Sequence, residues 1–380
     1  MSDPPLRERR AEIVGGGFAG LAAATALARR GWQVRLHERG DGLRTTGAGI
    51  YIYENGLRVL EALGAVDEAI AGASIARTRE VRDAQGRLLS VHHWGQSGRV
   101  YSILRQRLIN ALAECAERAG ATIVTASQGV GATPEGRLSF ADGSSIEADL
   151  VIAADGVNSR LRDALGLVAS RKALPDGAIR LLIDKTPRER EAGDTGTTTE
   201  YWSGSRRILH TPCSEGEIYL ALTMLDRDCR AKSVPIDKAL WQRWFPPLEG
   251  VIARIGDGGR YDRFELVKLR SWFRGRVAVL GDAAHALPPN LGQGGGCAMM
   301  NALSLAVHLE GERDIASALA AWERRERPLT EHTQRMSQFF GMATTWPAPL
   351  QRLFFHVTGR SRKIAELRTR TARHKPTGTC

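Results

Sequence analysis

The sequence predicts an α/β fold: a Rossmann-like nucleotide-binding domain, an antiparallel sheet inserted into it, and C-terminal helices. Three observations predict it. A short apolar run, Ala11 to Val14, leads straight into GGGFAG and a run of small residues, which is the strand–turn–helix of a dinucleotide site. Two further apolar runs, DLVIAADG and VAVLGDAAHALPPNLGQGGG, end in turns rich in glycine and acid. Between the first of these motifs and the last lie residues 75–93, 178–225 and 261–268, where polar and apolar residues alternate with the two-residue period of half-buried strands.

A chain of 380 residues, 43% hydrophobic and 25% charged, has the composition of a globular protein large enough for two cores. Its formal charge is +11, carried by 46 arginines against seven lysines. Nucleic-acid modules concentrate such charge on one face and interleave stacking aromatics. Here the arginines are scattered, so no nucleic-acid partner is expected and the excess attracts small anions. The densest basic run, GRSRKIAELRTRTARHK, reads as a solvated helix or frayed tail. The five cysteines form no CxxC and no ligand cluster, which fits a reducing compartment and argues against a metal site or disulfide framework. MSDPPLRERRAEIV lacks the apolar core of a signal peptide, and no run reaches ~18 apolar residues. A cytoplasmic monomer or homodimer with no membrane partner is expected.

In the first motif Gly15, Gly17 and Gly20 have GxGxxG spacing. The first allows the tight turn, the second admits a pyrophosphate to the backbone, and the third lets helix and strand pack closely. Pyrophosphate charge then meets the N–H groups and positive dipole end of the helix. WQVRLHER supplies a second strand ending in Glu38, 18 residues past Gly20, where a carboxylate can accept both ribose hydroxyls and disfavours a 2′-phosphate. These residues leave FAD and NAD open.

The other two motifs narrow the choice. YSILRQRLINALAECAERAG places Arg105 just ahead of an amphipathic helix, and DLVIAADGVNSRLRDALG gives a strand, a turn at Asp155 and Gly156, and a helix from about Asn158. With GDAAHALPPNLGQGGG these features, in this order, resemble the flavin-dependent aromatic hydroxylases of the para-hydroxybenzoate hydroxylase type, from residue 11 to about 330. The resemblance implies FAD as cofactor. It places Gly15, Gly17, Phe18, Ala19, Gly20, Glu38 and Arg39 around the adenosine half, with Arg44 and Arg105 facing phosphate or ribityl oxygens. Asp155 and Gly156 would meet the pyrophosphate region. Gly281 and Asp282 would close over the ribityl chain, and Gly292, Gly294 and Gly295 would bring backbone N–H groups to the flavin ring. One departure is Ala153, where the family has glycine. His285 reads as a ring that orders its loop rather than as an acid or base. A single GxGxxG implies that NADH or NADPH docks transiently rather than in a second Rossmann domain.

Residues 75–93 read as a hairpin turning at Gln85 and Gly86, and PIDKALWQRWFPPLEGVIARI as a helical cap with Trp241, Trp244 and Phe245 in its core. The implied division is 1–74, 94–175 and 269–335 for the FAD domain, 75–93 and 176–268 for the substrate domain, and 336–380 for a helical tail. GAGIY, NGLRVLE, SVPID, GCAM and RIL-x-x-PC-x-E-x-E-x-YL are most similar to family members that oxygenate a pyridine carboxylate. By that resemblance Tyr51, Arg207 and Tyr219 line the substrate pocket, with Pro289 beside it. Arg207 would anchor a carboxylate and the tyrosines would hydrogen-bond ring substituents. Arg79 stands where those relatives carry a tyrosine, which points to a more anionic substrate.

The expected function is a monooxygenase that uses NAD(P)H and O2 to hydroxylate, or open, the ring of a small aromatic or N-heteroaromatic carboxylate, through a flavin C4a-hydroperoxide. No protein side chain is assigned a catalytic role of its own, and no metal is expected. An oxidase or halogenase-like enzyme, or a flavin-bound sensor without turnover, are the alternatives. The tryptophan signature of halogenases is absent.

Overall fold

Strand Arg10–Val14 buries Ala11, Ile13 and Val14 on both faces, and it takes the interior of a six-stranded sheet. The computed structural model describes residues 9–43, 48–312 and 314–380. Beside Arg10–Val14 lie Gln33–His37 on one side and Leu150–Ala153 on the other, both parallel to it. Thr122–Val124 and Val277–Val279 extend the parallel sheet, and Phe273–Arg274 closes one edge antiparallel. The one charged residue inside the first strand is Glu12. It is compensated, accepting hydrogen bonds from His37 Nε2 at 2.8 Å and Arg35 Nη2 at 2.9 Å. Helices Phe18–Ala28, Arg105–Arg118 and Gly294–Gly311 pack their apolar residues on this sheet and form the larger core.

The second sheet has seven strands. In order they are Tyr261–Leu269, Val168–Asp184, Glu217–Leu225, Arg206–Pro212, Thr197–Ser203, Thr78–Asp83 and Leu88–His93. All neighbours are antiparallel except one: Thr197–Ser203 runs parallel to Thr78–Asp83. The hairpin turns as expected, with Gly86 at φ +80° and the Asp83 carboxylate accepting from the amides of Gln85 and Arg87. It reaches the sheet from a distant part of the chain, which is why its pairing escapes the antiparallel rule. Strands Ser74–Ile75, Val168–Asp184 and Tyr261–Leu269 and helix Ile315–Gly341 run without a break across 74/75, 175/176, 268/269 and 335/336, so four boundaries of the implied division fall inside single elements.

Register fixes what each face of this sheet does. On one face Ile179, Ile208, Ile218, Leu220, Leu222 and Met224 pack against Trp241, Phe245, Leu248 and Ile252 of the helical cap. Trp241 and Phe245 are fully buried, but Trp244 is 40% exposed, against expectation. It lies on the outer side of its helix, with the Arg206 guanidinium 4.5 Å from its ring centroid. The opposite face carries polar residues in aligned positions. Arg79 pairs with Thr198, Thr211 with Tyr219, Glu200 with Leu209, and Trp202 with Arg207.

The basic C-terminal run is neither frayed nor merely solvated. Helix Arg362–Thr369 leads into a segment whose Ala372 carbonyl accepts the Asn55 amide at 3.1 Å, and Thr371 is hydrogen-bonded to Thr333 at 2.7 Å. Arg368 lies between Trp94 and Phe340, 5.6 and 5.0 Å from their centroids, so its stem and guanidinium are used in packing. All five cysteines are free thiols. Among the described residues no helix is long and apolar enough to cross a membrane, and no cluster of His, Cys, Asp or Glu is placed to hold a metal.

Candidate functional site

Three helix N-termini meet at one groove, where a Cβ on Gly281 would lie 3.0 Å from Ala19 Cβ and 3.7 Å from Ala298 Cβ, and among the described residues none has a side-chain cap. Phe18–Ala28 begins at Gly17 with no acid in its first turn, Asp282–His285 begins at Gly281, and Gly294–Gly311 begins at Gln293. Uncapped amide groups at several helix ends favour an anionic or strongly accepting ligand. The glycines of the first turn have three distinct reasons. A Cβ at Gly15, whose φ is +110°, would lie 2.3 Å from the Ala154 carbonyl oxygen, and one at Gly20 would lie 2.0 Å from the Gly15 oxygen. A Cβ at Gly17 would meet nothing within 4 Å among the described residues. Gly15 and Gly20 are therefore required by the protein's own packing, whereas Gly17 borders open groove.

Glu38 is held beside this turn. Its two carboxylate oxygens accept the amides of Gly16 at 2.9 Å and Gly40 at 3.1 Å, which leaves further lone pairs for ribose hydroxyls. Arg39 is exposed. Arg44 lies outside the described residues. Further along, the Arg105 guanidinium stacks over Phe18, 4.7 Å from its centroid, and Gly295 approaches the same ring closely enough that a Cβ would sit 3.4 Å from Phe18 Cδ2. Asp282 faces the groove. Burial raises its carboxyl above the usual carboxylate range, and the charges of Arg105 and Arg180 oppose that rise. Asp155 accepts the Arg160 amide with one oxygen, while its other oxygen is buried without a partner. The helix after it starts at Arg160, capped by Ser159, two residues later than the sequence suggests. An open cradle at Gly17, a bidentate acid at Glu38, an uncapped Gly294 helix and an orphaned carboxylate oxygen at Asp155 fit the adenosine, pyrophosphate and ribityl groups of FAD.

His285 does not face this groove. Its Nε2 takes a hydrogen bond from Asn301 Nδ2 at 3.0 Å, its Nδ1 is buried without a partner, and its ring lies against Trp272. Burial pushes its pKa down to about 4. A histidine depressed from 6.5 binds its proton less tightly folded than unfolded, so it adds stability above pH 6.5 that is lost as pH falls towards 4. A His285→Gln variant should lack that component, on the order of 3 kcal/mol. Melting temperatures of both proteins at pH 7 and pH 4.5 check this; parallel loss in both would contradict it.

The polar face of the second sheet is turned toward the groove. The Tyr51 hydroxyl is hydrogen-bonded to Thr211, and Tyr219 packs so closely on Gly49 that a Cβ there would lie 2.8 Å from Tyr219 Cβ. Burial raises the pKa of Tyr51, Tyr53 and Tyr219, so all three phenols stay protonated. Gly292, at φ +65°, brings the glycine-rich loop against Tyr53 and Tyr51. Pro289 is exposed at the start of a short 3-10 turn, and its neighbour Asn290 reaches across to the sheet. There Asn290 Oδ1 accepts Arg207 Nη2 at 2.8 Å. Arg207 is 6% exposed, donates from Nη1 to Glu200 at 3.3 Å, and lies 5.2 Å from the Trp202 centroid. Arg79 is paired with the other oxygen of the same Glu200.

Sequence reasoning missed Glu200, Asn290 and Arg180. Arg180 lies on strand Val168–Asp184, one register step from Tyr219, and its charge acts on both Tyr219 and Asp282. A lone arginine inside the apolar run AIRLLID was its signal. Glu200 had a similar one, a single acid in TTTEYW, and Asn290 had none.

The family model described as FAD binding domain matches residues 9–335. The chain is 44% identical over 359 residues to a 2-heptyl-3-hydroxy-4(1H)-quinolone synthase of Mycobacteroides abscessus, covering 93% of this chain and 96% of that protein. It is 29% identical over 360 residues to 6-hydroxynicotinate 3-monooxygenase of Bordetella bronchiseptica, covering 86% and 90%. Among solved structures, the tetrameric form of 2-methyl-3-hydroxypyridine-5-carboxylic acid oxygenase superposes with a TM-score of 0.89 at 39% identity, covering 99% of both chains.

Proposed function

Because the chain belongs to the FAD binding domain family, we propose that the polar sheet face at Tyr51, Thr211 and Tyr219 presents the ring of a small hydroxy- or oxo-substituted aromatic, N-heteroaromatics included, to the flavin groove. The protein is an FAD-dependent aromatic monooxygenase with NAD(P)H as co-substrate. Quinolone, hydroxynicotinate and hydroxypyridine rings in the names of its relatives support an N-heteroaromatic substrate. The observation that carries the reading is the turning of one aligned, protonated hydroxyl face toward the Gly292–Gly296 loop.

Bound FAD supplies the redox chemistry, taking two electrons from NAD(P)H and activating O2, of which one oxygen atom enters the ring and the other leaves as water. The chain supplies the positioning. Uncapped amides at Gly17 and Gly294 take pyrophosphate and ring oxygens, and Glu38 takes the ribose. Asp282 accepts a polyol hydroxyl, and Arg105 with Phe18 forms a flat wall beside the cofactor. Tyr51 and Tyr219 donate to a ring hydroxyl or oxo group and hold the ring still while water is excluded.

A purified sample should carry FAD, and a hydroxylated N-heteroaromatic should stimulate NAD(P)H oxidation with one oxygen atom added to the ring by mass. Stimulation yielding only H2O2, with no oxygenated product from any aromatic, would overturn the reading. Asp282→Ala should weaken FAD binding by ~1.5–3 kcal/mol, since a polyol hydroxyl loses a charge-assisted partner. Titration of the stripped protein with FAD measures it, and unchanged affinity would remove Asp282 from the cofactor site.

A further inference from the structure

Glu200 is a buried acid that the oxygenation chemistry does not require. It is 6% exposed on the face turned to the groove, and its two oxygens are divided between Arg79 and Arg207. Both arginines stand on the sheet face that carries Thr211, the partner of the Tyr51 hydroxyl: Arg79 is paired in register with Thr198, and Arg207 lies four residues before Thr211 on its strand. Arg207's second nitrogen is already taken by Asn290, and its face by Trp202. A further cation whose charge acts on Glu200, Arg368, is enclosed by Trp94 and Phe340. A substrate carboxylate reaching Arg207 would share its guanidinium with Glu200, so that two anions would be buried on one cation.

We propose that Glu200 is a built-in counter-ion that sets specificity, so that the site takes an uncharged hydroxy- or oxo-substituted N-heteroaromatic and discriminates against its ring carboxylate. This rests on the aromatic monooxygenase reading above and names its substrate class more closely. The discrimination is of the repulsive kind, in which an unpaired like charge is set against the wrong ligand. Removing that charge while keeping both arginines converts the pair into an anion site.

The test compares 4-hydroxyquinoline with 4-hydroxyquinoline-2-carboxylate on the FAD-loaded protein. Binding is read from flavin absorbance and turnover from NAD(P)H oxidation. The wild type should bind the uncharged ring at least ten-fold more tightly, and Glu200→Gln should shift that ratio at least ten-fold toward the carboxylate. Should the single variant fold poorly, the charge-balanced pair Glu200→Gln with Arg79→Gln keeps one free arginine and should shift the ratio in the same direction by a smaller factor. A wild type that prefers the carboxylate, with a ratio unmoved in both variants, overturns the role of Glu200 and leaves the monooxygenase reading intact. If a broad set of charged and uncharged aromatics all fail to perturb the flavin or to stimulate oxidation, the monooxygenase pocket reading itself falls, and this inference with it.

Discussion

Gly17→Ala is expected to lower FAD affinity at least 100-fold while leaving the fold of the flavin-free protein unchanged, and Gly20→Ala to damage the fold itself. The two positions differ in what lies opposite. At Gly17 the new methyl meets nothing within 4 Å among the described residues beyond its chain neighbours, so it does not disturb their packing and occupies groove where the pyrophosphate must approach the backbone. A 100-fold loss is ~2.7 kcal/mol, within reach of one steric displacement of a phosphate from its amides. At Gly20 the methyl lies 2.0 Å from the Gly15 carbonyl oxygen, a backbone atom held by strand and helix that cannot rotate away. Overpacking costs ~1–3 kcal/mol even where side chains can yield, and here nothing can. Denaturant melts of the stripped proteins separate the cases. Equal destabilisation by both variants would show that Gly17 also serves packing and is not the cofactor's glycine.

Arg207→Ala is expected to cost ~3 kcal/mol of folding stability. Removing one member of a buried ion pair leaves its partner uncompensated, which costs ~3–5 kcal/mol, and the lower end applies because Arg79 stays with Glu200. The same change frees Asn290 Oδ1 and uncovers Trp202, so the link between the glycine-rich loop and the sheet is lost. Lysine at this position should recover less than half of the stability, since an ammonium cannot reach Glu200 and Asn290 together with a planar fork. Calorimetry or urea melts of the FAD-loaded variants read the effect. An alanine variant as stable as the wild type would show that Glu200 is satisfied by Arg79 alone.

The flavin half of the protein was legible in the sequence because glycine spacing reports backbone geometry directly. Gly15, Gly20, Gly281 and Gly292 stand where a side chain would clash or where φ is positive, and each belongs to a motif read from residue order alone. The substrate half was less legible. Tyr51, Arg207 and Tyr219 do gather near the groove, but the charge that partners Arg207 was invisible, because Glu200 and Arg79 meet through a parallel pairing of strands over a hundred residues apart. An ion pair assembled across a sheet leaves no spacing in the chain. Trp244 was misplaced for a local reason: in a seven-residue helix beside Trp241 and Phe245, a one-residue offset moves a side chain from core to surface. The basic tail was misread because composition reports solvation but not the backbone bond from Asn55 to Ala372.

That last bond bears on how the protein comes to exist in a cell. The central sheet needs Val277–Val279 beside Leu150–Ala153, and helix Glu54–Leu63 has its Asn55 amide bound to the Ala372 carbonyl. A ribosome delivers residues in order, at ~5–20 per second. The first nucleotide motif therefore leaves the ribosome long before Leu150–Ala153 and Val277–Val279, and Ala372, which ties helix Glu54–Leu63, follows later still. A stop codon placed shortly before Ala372 would spare every cofactor motif and still leave helix Glu54–Leu63 without the carbonyl that accepts its Asn55 amide.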